Sequence, residues 1–253
     1  MEWSSGASGN GLVATFASLR FFFWWQDLKV STHEELLARH RRALPDWLAL
    51  YYEKPISLVS GEGRHIVDAE GKRYLDFFGG ILTTMTAYSL PEVVAAIQDQ
   101  AGKMIHTSTL YLVEPMIELA EKVGELSGIP DAKVFFATSG SEANEAALLL
   151  ASTVRRSNQV LALRNSYHGR SFATMGVTGN RGWSSSSLSP FAVSYVHNGD
   201  MFRSPFRDRD EKGFVDAIVE DLRHVIATTT AGDVACMIAE PIQGVGGFTV
   251  PPD

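Results

Sequence analysis

Three short polar stretches carry the residues best suited to chemistry. The first is Thr138-Ser139-Gly140-Ser141-Glu142-Ala143-Asn144, set between the apolar run Val134–Ala137 and the apolar-rich stretch Glu145–Val154. Read as strand, turn and helix, it leaves backbone N–H groups without acceptors at a helix start, where the macrodipole favours an anion. Gly140 lets the chain pass close to a bound group, and Ser139 and Ser141 add hydroxyl donors. This is the chemistry of a phosphate cup, although the same residues also suit a junction that only turns the chain. The second stretch, after Val160–Leu163, is Asn165-Ser166-Tyr167-His168-Gly169-Arg170. The third, after Met237–Ala239, is Glu240-Pro241-Ile242-Gln243-Gly244. Ligands of open parallel α/β sheets sit beyond the carboxyl ends of the strands. Three polar strand ends in order therefore predict one cleft with a phosphate holder, an aromatic plate and a carboxylate.

The elements that must position these groups follow from periodicity. Lys133–Ala137, Glu145–Val154 and Gln159–Leu163 alternate as strand, helix and strand, which predicts parallel strands with crossover helices. Phe214–Ile226 is a further amphipathic helix and Ala235–Ala239 a further buried strand. Trp183–Pro190 and Asn198–Asp210 read as long surface loops. Upstream, Thr32 and Glu35 have capping-box spacing ahead of a helix through Leu36, Leu37 and Leu44, and Pro45 ends or restarts that helix before Asp46–Tyr52. Arg64–Asp68 and Arg73–Phe78 flank the turn Ala69–Lys72 as a β-hairpin. Pro91 opens a helix with Val94, Ile97 and Met104 on one face, and Glu114–Leu126 forms another, stopped at Gly128. The rhythm changes near residue 105. Residues 31–105 are thus expected to form an N-terminal subdomain segment and 106–253 the first part of a larger domain.

Composition narrows the classes of partner. The chain has 253 residues, 45% of them apolar, enough for a substantial core. Its net charge of −7 argues against nucleic acid, which needs a basic face. The single cysteine, Cys236, excludes an intrachain disulfide, suits a reducing, cytoplasmic setting, and reads as a small core residue rather than a nucleophile. The histidines show no ligand spacing, so no metal site is expected. Leu12–Trp25 holds the run Phe21–Trp25. Arg20 interrupts the longer stretch Leu12–Trp25, Glu2 is acidic, no small-residue cleavage site follows, and the run is too short to span a bilayer. Residues 1–30 are expected to be a disordered or misassigned extension, with no membrane partner.

Thr138-Ser-Gly-Ser-Glu-Ala-Asn144, Tyr167-His168-Gly169 and Ala239-Glu-Pro-Ile-Gln-Gly244 together resemble the class III (ω-type) aminotransferases, most nearly the alanine–glyoxylate aminotransferase 2-like group. Tyr74-Leu-Asp-Phe-Phe-Gly-Gly80 is similar to that family's N-terminal hairpin, and the resemblance covers roughly residues 35–253. It implies the α/β fold type I of pyridoxal-phosphate enzymes, an incomplete large domain of mainly parallel sheet plus an N-terminal subdomain. It also implies pyridoxal 5′-phosphate as cofactor, amino-acid and 2-oxo-acid substrates, and a homodimer in the full-length form. Carried over, Ser139, Gly140 and Ser141 hold the cofactor phosphate and Tyr167 stacks on the pyridine ring. His168 supports the loop that Gly169 lets turn. Glu240 lies towards the substrate, where relatives pair it with an arginine; Gln243 stands behind, and Gly80–Thr84 line the substrate entrance. Each has a plainer reading: Tyr167 as a core aromatic, His168 as structural, Glu240 as half of an interdomain ion pair, Gln243 as a loop residue.

In the family the Schiff-base lysine and the aspartate at the ring nitrogen follow the Glu-Pro-Ile-Gln-Gly strand. The last lysine here is Lys212, ahead of it, and Asp253 follows two prolines rather than sitting in an apolar strand. The expectation is an N-terminal half that lacks the lysine and is inactive alone. The alternative is a non-catalytic fragment that binds the cofactor weakly or only dimerises with an intact homologue. An unrelated nucleotide binder is disfavoured, since neither a dinucleotide fingerprint nor a Gly-Lys-Ser/Thr loop occurs.

Overall fold

The computed structural model describes residues 31–48 and 50–252, so the expectation for residues 1–30 lies outside it. The chain forms two compact units, one up to Leu112 and one from Val113 onward.

In the first unit, helix α1 (His33–Ala43) begins with the predicted box: Glu35 N–H donates to Thr32 Oγ1, and Thr32 N–H to the Glu35 carboxylate. Pro45 follows the end of the helix, and the described residues of 46–52 do not resume it. The hairpin has a third strand that alternation did not suggest. Strands β1 (Leu58–Glu62), β2 (His65–Asp68) and β3 (Arg73–Leu75) form an antiparallel sheet in that order. Asp68 closes the β2–β3 turn by accepting from Glu70 N–H, Lys72 N–H and the Tyr74 hydroxyl. The Tyr74 hydrogen bond, chiefly, holds this carboxyl below its ordinary range. Asp76 repeats the device on Phe78 N–H, Gly79 N–H and the Tyr88 hydroxyl.

Between the Phe78 and Tyr88 contacts of Asp76, Gly79, Gly80, Ile81 and Leu82 all have positive φ, from 55° to 64°, forming one left-handed turn. Glycine accepts this freely; Ile81 does not, at about 1–2 kcal/mol. Ala87 lies at φ 91°, further from any region that suits a side chain. Helix α2 (Pro91–Lys103) starts at Pro91 as expected, but it buries none of its residues within the unit, Val94 and Ile97 included.

The second unit carries the strand-end motifs. Helix α3 (Glu114–Ser127) stops where Gly128 takes a left-handed conformation. Helix α4 (Gly140–Arg155) leads to strand β4 (Gln159–Leu163), then the short helix α5 (Phe172–Val177), strand β5 (Ala192–Val196), helix α6 (Glu211–Thr229) and strand β6 (Cys236–Ile238). The sheet is parallel, in the order β5-β4-β6, with Val160 opposite Val193 and Cys236, and Ala162 opposite Tyr195 and Ile238. A central parallel strand is covered on both faces and must be apolar throughout. Accordingly Val160, Leu161 and Ala162 are all buried. Val160 and Ala162 share one core with Leu148 of α4 and with Ala173 and Val177 of α5.

One predicted element differs. Lys133–Ala137 has no ladder partner among the described residues, and Phe135 is 75% exposed. Its apolar run met the propensity for a strand, but a strand exists only where a neighbour takes up its N–H and C=O groups. The loop Asn198–Asp210 is also less superficial than its composition suggested, since Asp200 and Ser204 are buried.

The strain at Ala87 is testable. Ala87→Gly should raise the unfolding free energy by about 0.5–1 kcal/mol, because relief of the positive φ exceeds the entropy that glycine adds to the unfolded chain. Urea unfolding checks it, and a loss of stability would refute the strain argument.

Candidate functional site

The cup forms where α4 begins. Ser139 is its N-cap, with Oγ accepting from Glu142 N–H at 3.2 Å. The Glu142 carboxylate turns back to accept from Thr138 N–H at 2.8 Å and from the Thr138 hydroxyl. These contacts, the hydroxyl first, keep Glu142 below the ordinary carboxyl range. The Ser-x-x-Glu spacing of Ser139 and Glu142 was a legible sign of this turn. Gly140 and Ser141 occupy the first helical turn, whose N–H groups have no acceptor within the helix. Apart from its own helix backbone and chain neighbours, nothing lies within 4 Å of where a Gly140 side chain would begin, so the turn is open to an approaching group.

The Tyr167–Gly169 loop is fastened to the same helix. Arg170 N–H donates to Ser141 Oγ at 3.1 Å, Asn144 Nδ2 to the His168 carbonyl at 2.8 Å, and Ala173 N–H to Glu145 Oε1 at 3.0 Å. Residues 141, 144 and 145 share one face of α4, so that face holds the whole loop. Ser141 Oγ accepts from Arg170, which leaves its own proton to donate elsewhere. Gly169, at φ 139°, packs so closely that a Cβ would collide with Ser141 Oγ and lie 2.7 Å from Thr174 Oγ1. The glycine is required on both counts.

Tyr167 is half-buried and held at several points. Its N–H donates to Glu240 Oε1 at 2.7 Å, its hydroxyl accepts from Arg170 Nε at 3.3 Å, and its ring meets that of Trp183 edge to face with centroids 5.5 Å apart. Glu240 also accepts from Gly244 N–H at 3.2 Å, so one carboxylate ties the second strand end to the third. It forms no ion pair among the described residues.

Gln243 is 3% exposed; its Nε2 donates to the Arg164 carbonyl at 3.0 Å and its Oε1 accepts from Asn198. It spans the ends of β4 and β5 and acts on the loops. His168 is 6% exposed, its N–H donating to Thr178 Oγ1 at 3.1 Å. Burial pushes its imidazole down to about 4, and Nε2 has no partner. It lies under the loop as a neutral ring.

Ser139, Gly140, Ser141, Tyr167, His168, Glu240 and Gln243 are therefore gathered on connected loops. Gly80–Thr84 belong to the other unit. Sequence reasoning passed over Asn165, which adopts φ 62° and bridges two loops, donating to the Gly246 carbonyl and accepting from Asn180 Nδ2. It also passed over Arg170 and Trp183. Asn165 and Arg170 stood within the quoted motif, but nothing in the pattern marked Trp183.

A phosphate with an attached flat ring fits these residues. The open first turn at Gly140, the spare Ser141 proton and the seated Tyr167 ring face the requirements of both parts.

Gly169→Ala should destabilise the second unit by about 2–3 kcal/mol, since both the φ and the Ser141 contact oppose a methyl group. Denaturant titration measures it, and a neutral result would mean the loop can move away. The buried neutral His168 adds a pH dependence. Its folded value lies below its unfolded one, so stability is held above pH 6.5 and lost as pH falls towards 4. Between pH 7 and 5 the loss is about 2 kcal/mol. His197, depressed by burial and by Arg164, adds to the same slope. In His168→Gln the slope of unfolding free energy against pH should flatten; an unchanged slope would remove His168 as its source.

The class-III aminotransferase family matches residues 51–253. Human mitochondrial alanine–glyoxylate aminotransferase 2 is 33% identical over 232 residues, covering 85% of this chain and 45% of that protein. The acetylornithine aminotransferase of Methanothermobacter thermautotrophicus is 33% identical over 220 residues, covering 87% and 50%. The chain thus spans about half the length of the curated relatives it matches. Among solved structures, an (S)-enantioselective ω-transaminase from Thermomicrobium roseum aligns with TM-score 0.79 at 29% identity, over 89% of this chain and 53% of that one. The Pseudomonas jessenii ω-transaminase in complex with PMP aligns with TM-score 0.76 at 26% identity, over 85% and 50%. The fold is pyridoxal-phosphate fold type I, the cofactor is pyridoxal 5′-phosphate, and the chain belongs to the class-III aminotransferases.

Proposed function

We propose that this chain provides the cofactor-holding strand ends of an enzyme that moves an amino group from an amino donor to a 2-oxo acid, with an alanine–glyoxylate-like pair as substrates. The observation that carries this reading is the fastening of the Tyr167 loop to the cup through Ser141 and Gly169, which sets an aromatic plate at a fixed distance from a phosphate holder. The alanine–glyoxylate aminotransferases among the matched relatives point the same way, while others are named for acetylornithine. The whole protein would work as a homodimer, and the single cysteine suits a reducing, cytoplasmic setting.

The N–H groups of Gly140 and Ser141 and the Ser141 hydroxyl would bind the phosphate, with the α4 dipole adding to the attraction. Tyr167 would lie against the ring, steered by Glu240 from behind. His168 stays neutral and excludes water beneath the loop. When bound, pyridoxal 5′-phosphate supplies the electron-withdrawing ring on which amino-group transfer depends.

Two of the three lysines in the unit that holds the site favour binding without covalent capture. Lys122 and Lys212 pair with Glu125 and Asp216 on exposed helix faces, and the Asp216 hydrogen bond keeps Lys212 above its ordinary value; the third, Lys133, is exposed on the segment before the cup. A protonated, solvated amine is a poor nucleophile. This supports the second reading, in which the chain by itself binds the cofactor but does not use it.

Titration of the chain with pyridoxal 5′-phosphate, followed by absorbance and by quenching of tryptophan fluorescence, tests both readings. Saturable binding is expected, weakened about tenfold by Ser141→Ala and by Tyr167→Ala, in line with loss of one charge-assisted hydrogen bond or one stacking surface. Borohydride should fix no cofactor to the protein. Absence of binding would sink the cofactor assignment of these residues, and covalent fixation would sink the second reading.

A further inference from the structure

We propose that Trp183 is a positioning residue for the cofactor ring: its edge contact sets the inclination of the Tyr167 plate. The inference rests on the reading of Tyr167 as that plate, and it assigns a role to a residue in what the sequence presents as a surface loop. The two rings lie with centroids 5.5 Å apart and planes inclined at 67°, the edge-to-face arrangement that aromatic quadrupoles favour.

The contact can steer Tyr167 only if Trp183 is itself fixed, and its turn is anchored from several sides. Trp183 N–H donates to the Asn180 carbonyl and Gly182 N–H to Asn180 Oδ1. Asn180 N–H donates to the Ser166 carbonyl, and Asn180 Nδ2 to Asn165 Oδ1 at 2.7 Å. Gly179 N–H donates to Ser166 Oγ at 3.1 Å, and a side chain at Gly179 would run into the Leu163 carbonyl. On the far side the Arg181 guanidinium lies 5.2 Å from the Tyr195 ring centroid, and Ser184 Oγ donates to the Met175 carbonyl. The turn is therefore bound to the end of β4, to β5 and to α5.

Tyr167 is restrained at its other points by Glu240 at the backbone and Arg170 at the hydroxyl. Neither constrains rotation of the ring about its own axis, since one acts on the main chain and the other on the single oxygen on that axis. The edge-to-face contact with Trp183 is the contact that acts on the ring plane. A flat cofactor ring stacks on a face of defined tilt, so the proposal predicts that Trp183 governs ring binding and leaves phosphate binding alone.

The test compares the chain with Trp183→Ala and Trp183→Phe. Affinity for pyridoxal 5′-phosphate should fall about five- to tenfold in Trp183→Ala, the range an aromatic pair commands, and return to within about twofold in Trp183→Phe. The strength with which inorganic phosphate competes should stay constant in both. Equal weakening of cofactor and phosphate, or no change in either, would overturn the proposal, the first because it marks a general loosening of the loop.

A fluorotyrosine NMR spectrum, with the Tyr167 signal assigned by Tyr167→Phe, gives a readout without cofactor. That signal should shift in Trp183→Ala and return towards its original position in Trp183→Phe. If the wild-type chain binds no pyridoxal 5′-phosphate, the reading of the site fails on its own. The steering of Tyr167 by Trp183 is then judged by this signal, and an unmoved resonance would overturn it.

Discussion

The close approach of Gly169 to Ser141 is the constraint on which the rest of the site depends. A loop that ends strand β4 must bring an aromatic ring near the start of helix α4, and the two segments are separated by most of a helix and a strand in sequence. Only a residue without Cβ can pass Ser141 at this distance. Once it does, Arg170 N–H meets Ser141 Oγ and Asn144 meets the His168 carbonyl. One missing methyl group thus lets two hydrogen bonds form between elements that the sheet alone would leave apart.

The polar side chains in the three motifs divide by what they face. Glu240, Gln243 and Asn165 spend their hydrogen-bonding capacity on neighbouring loops, on backbone groups and on the Asn198 and Asn180 amides. A buried amide or carboxylate that left those groups unpaired would cost about 1–3 kcal/mol for each. Ser139 is consumed by the helix cap. What remains directed outward is small: the first N–H groups of α4, the Ser141 proton and the Tyr167 ring. A binding surface with few free groups, each backed by satisfied ones, loses little entropy when a ligand arrives.

Much of this was legible in the sequence, for identifiable reasons. The apolar run at Val160–Ala162 announced a strand covered on both faces, and Thr32 with Glu35 announced a helix start, because each depends on local periodicity or capping alone. Tyr167 and Glu240 were found because they stand directly at strand ends. The direct bond from Tyr167 N–H to the Glu240 carboxylate was not foreseen, since it joins residues 73 positions apart. Trp183 escaped for the same reason: Ser, Gly and Arg around it describe an exposed loop, which it is, and only the tertiary anchors of its turn at Asn165, Tyr195 and Met175 set it against Tyr167. Val134–Ala137 erred in the opposite direction, because strand propensity was present and pairing was not.

The electrostatic character of the cup follows from this division of labour. Glu142 places a carboxylate within the first turn of α4, where an anion would also bind, yet its charge is turned back onto Thr138 by two hydrogen bonds. The carboxylate therefore serves the turn while the N–H groups ahead of it stay available. On the proposed reading, attraction for a phosphate would come from the helix dipole and neutral donors, on a chain whose net charge is −7. Directional donors recognise the geometry of the phosphate, whereas a cluster of lysines would recognise only its charge. On an acidic protein that distinction matters, because long-range attraction does little to gather phosphates and selectivity has to arise at contact. On the proposed reading, the ring plate beside the cup adds a second criterion, so a phosphate that carries a flat group would gain a contact that bare phosphate lacks.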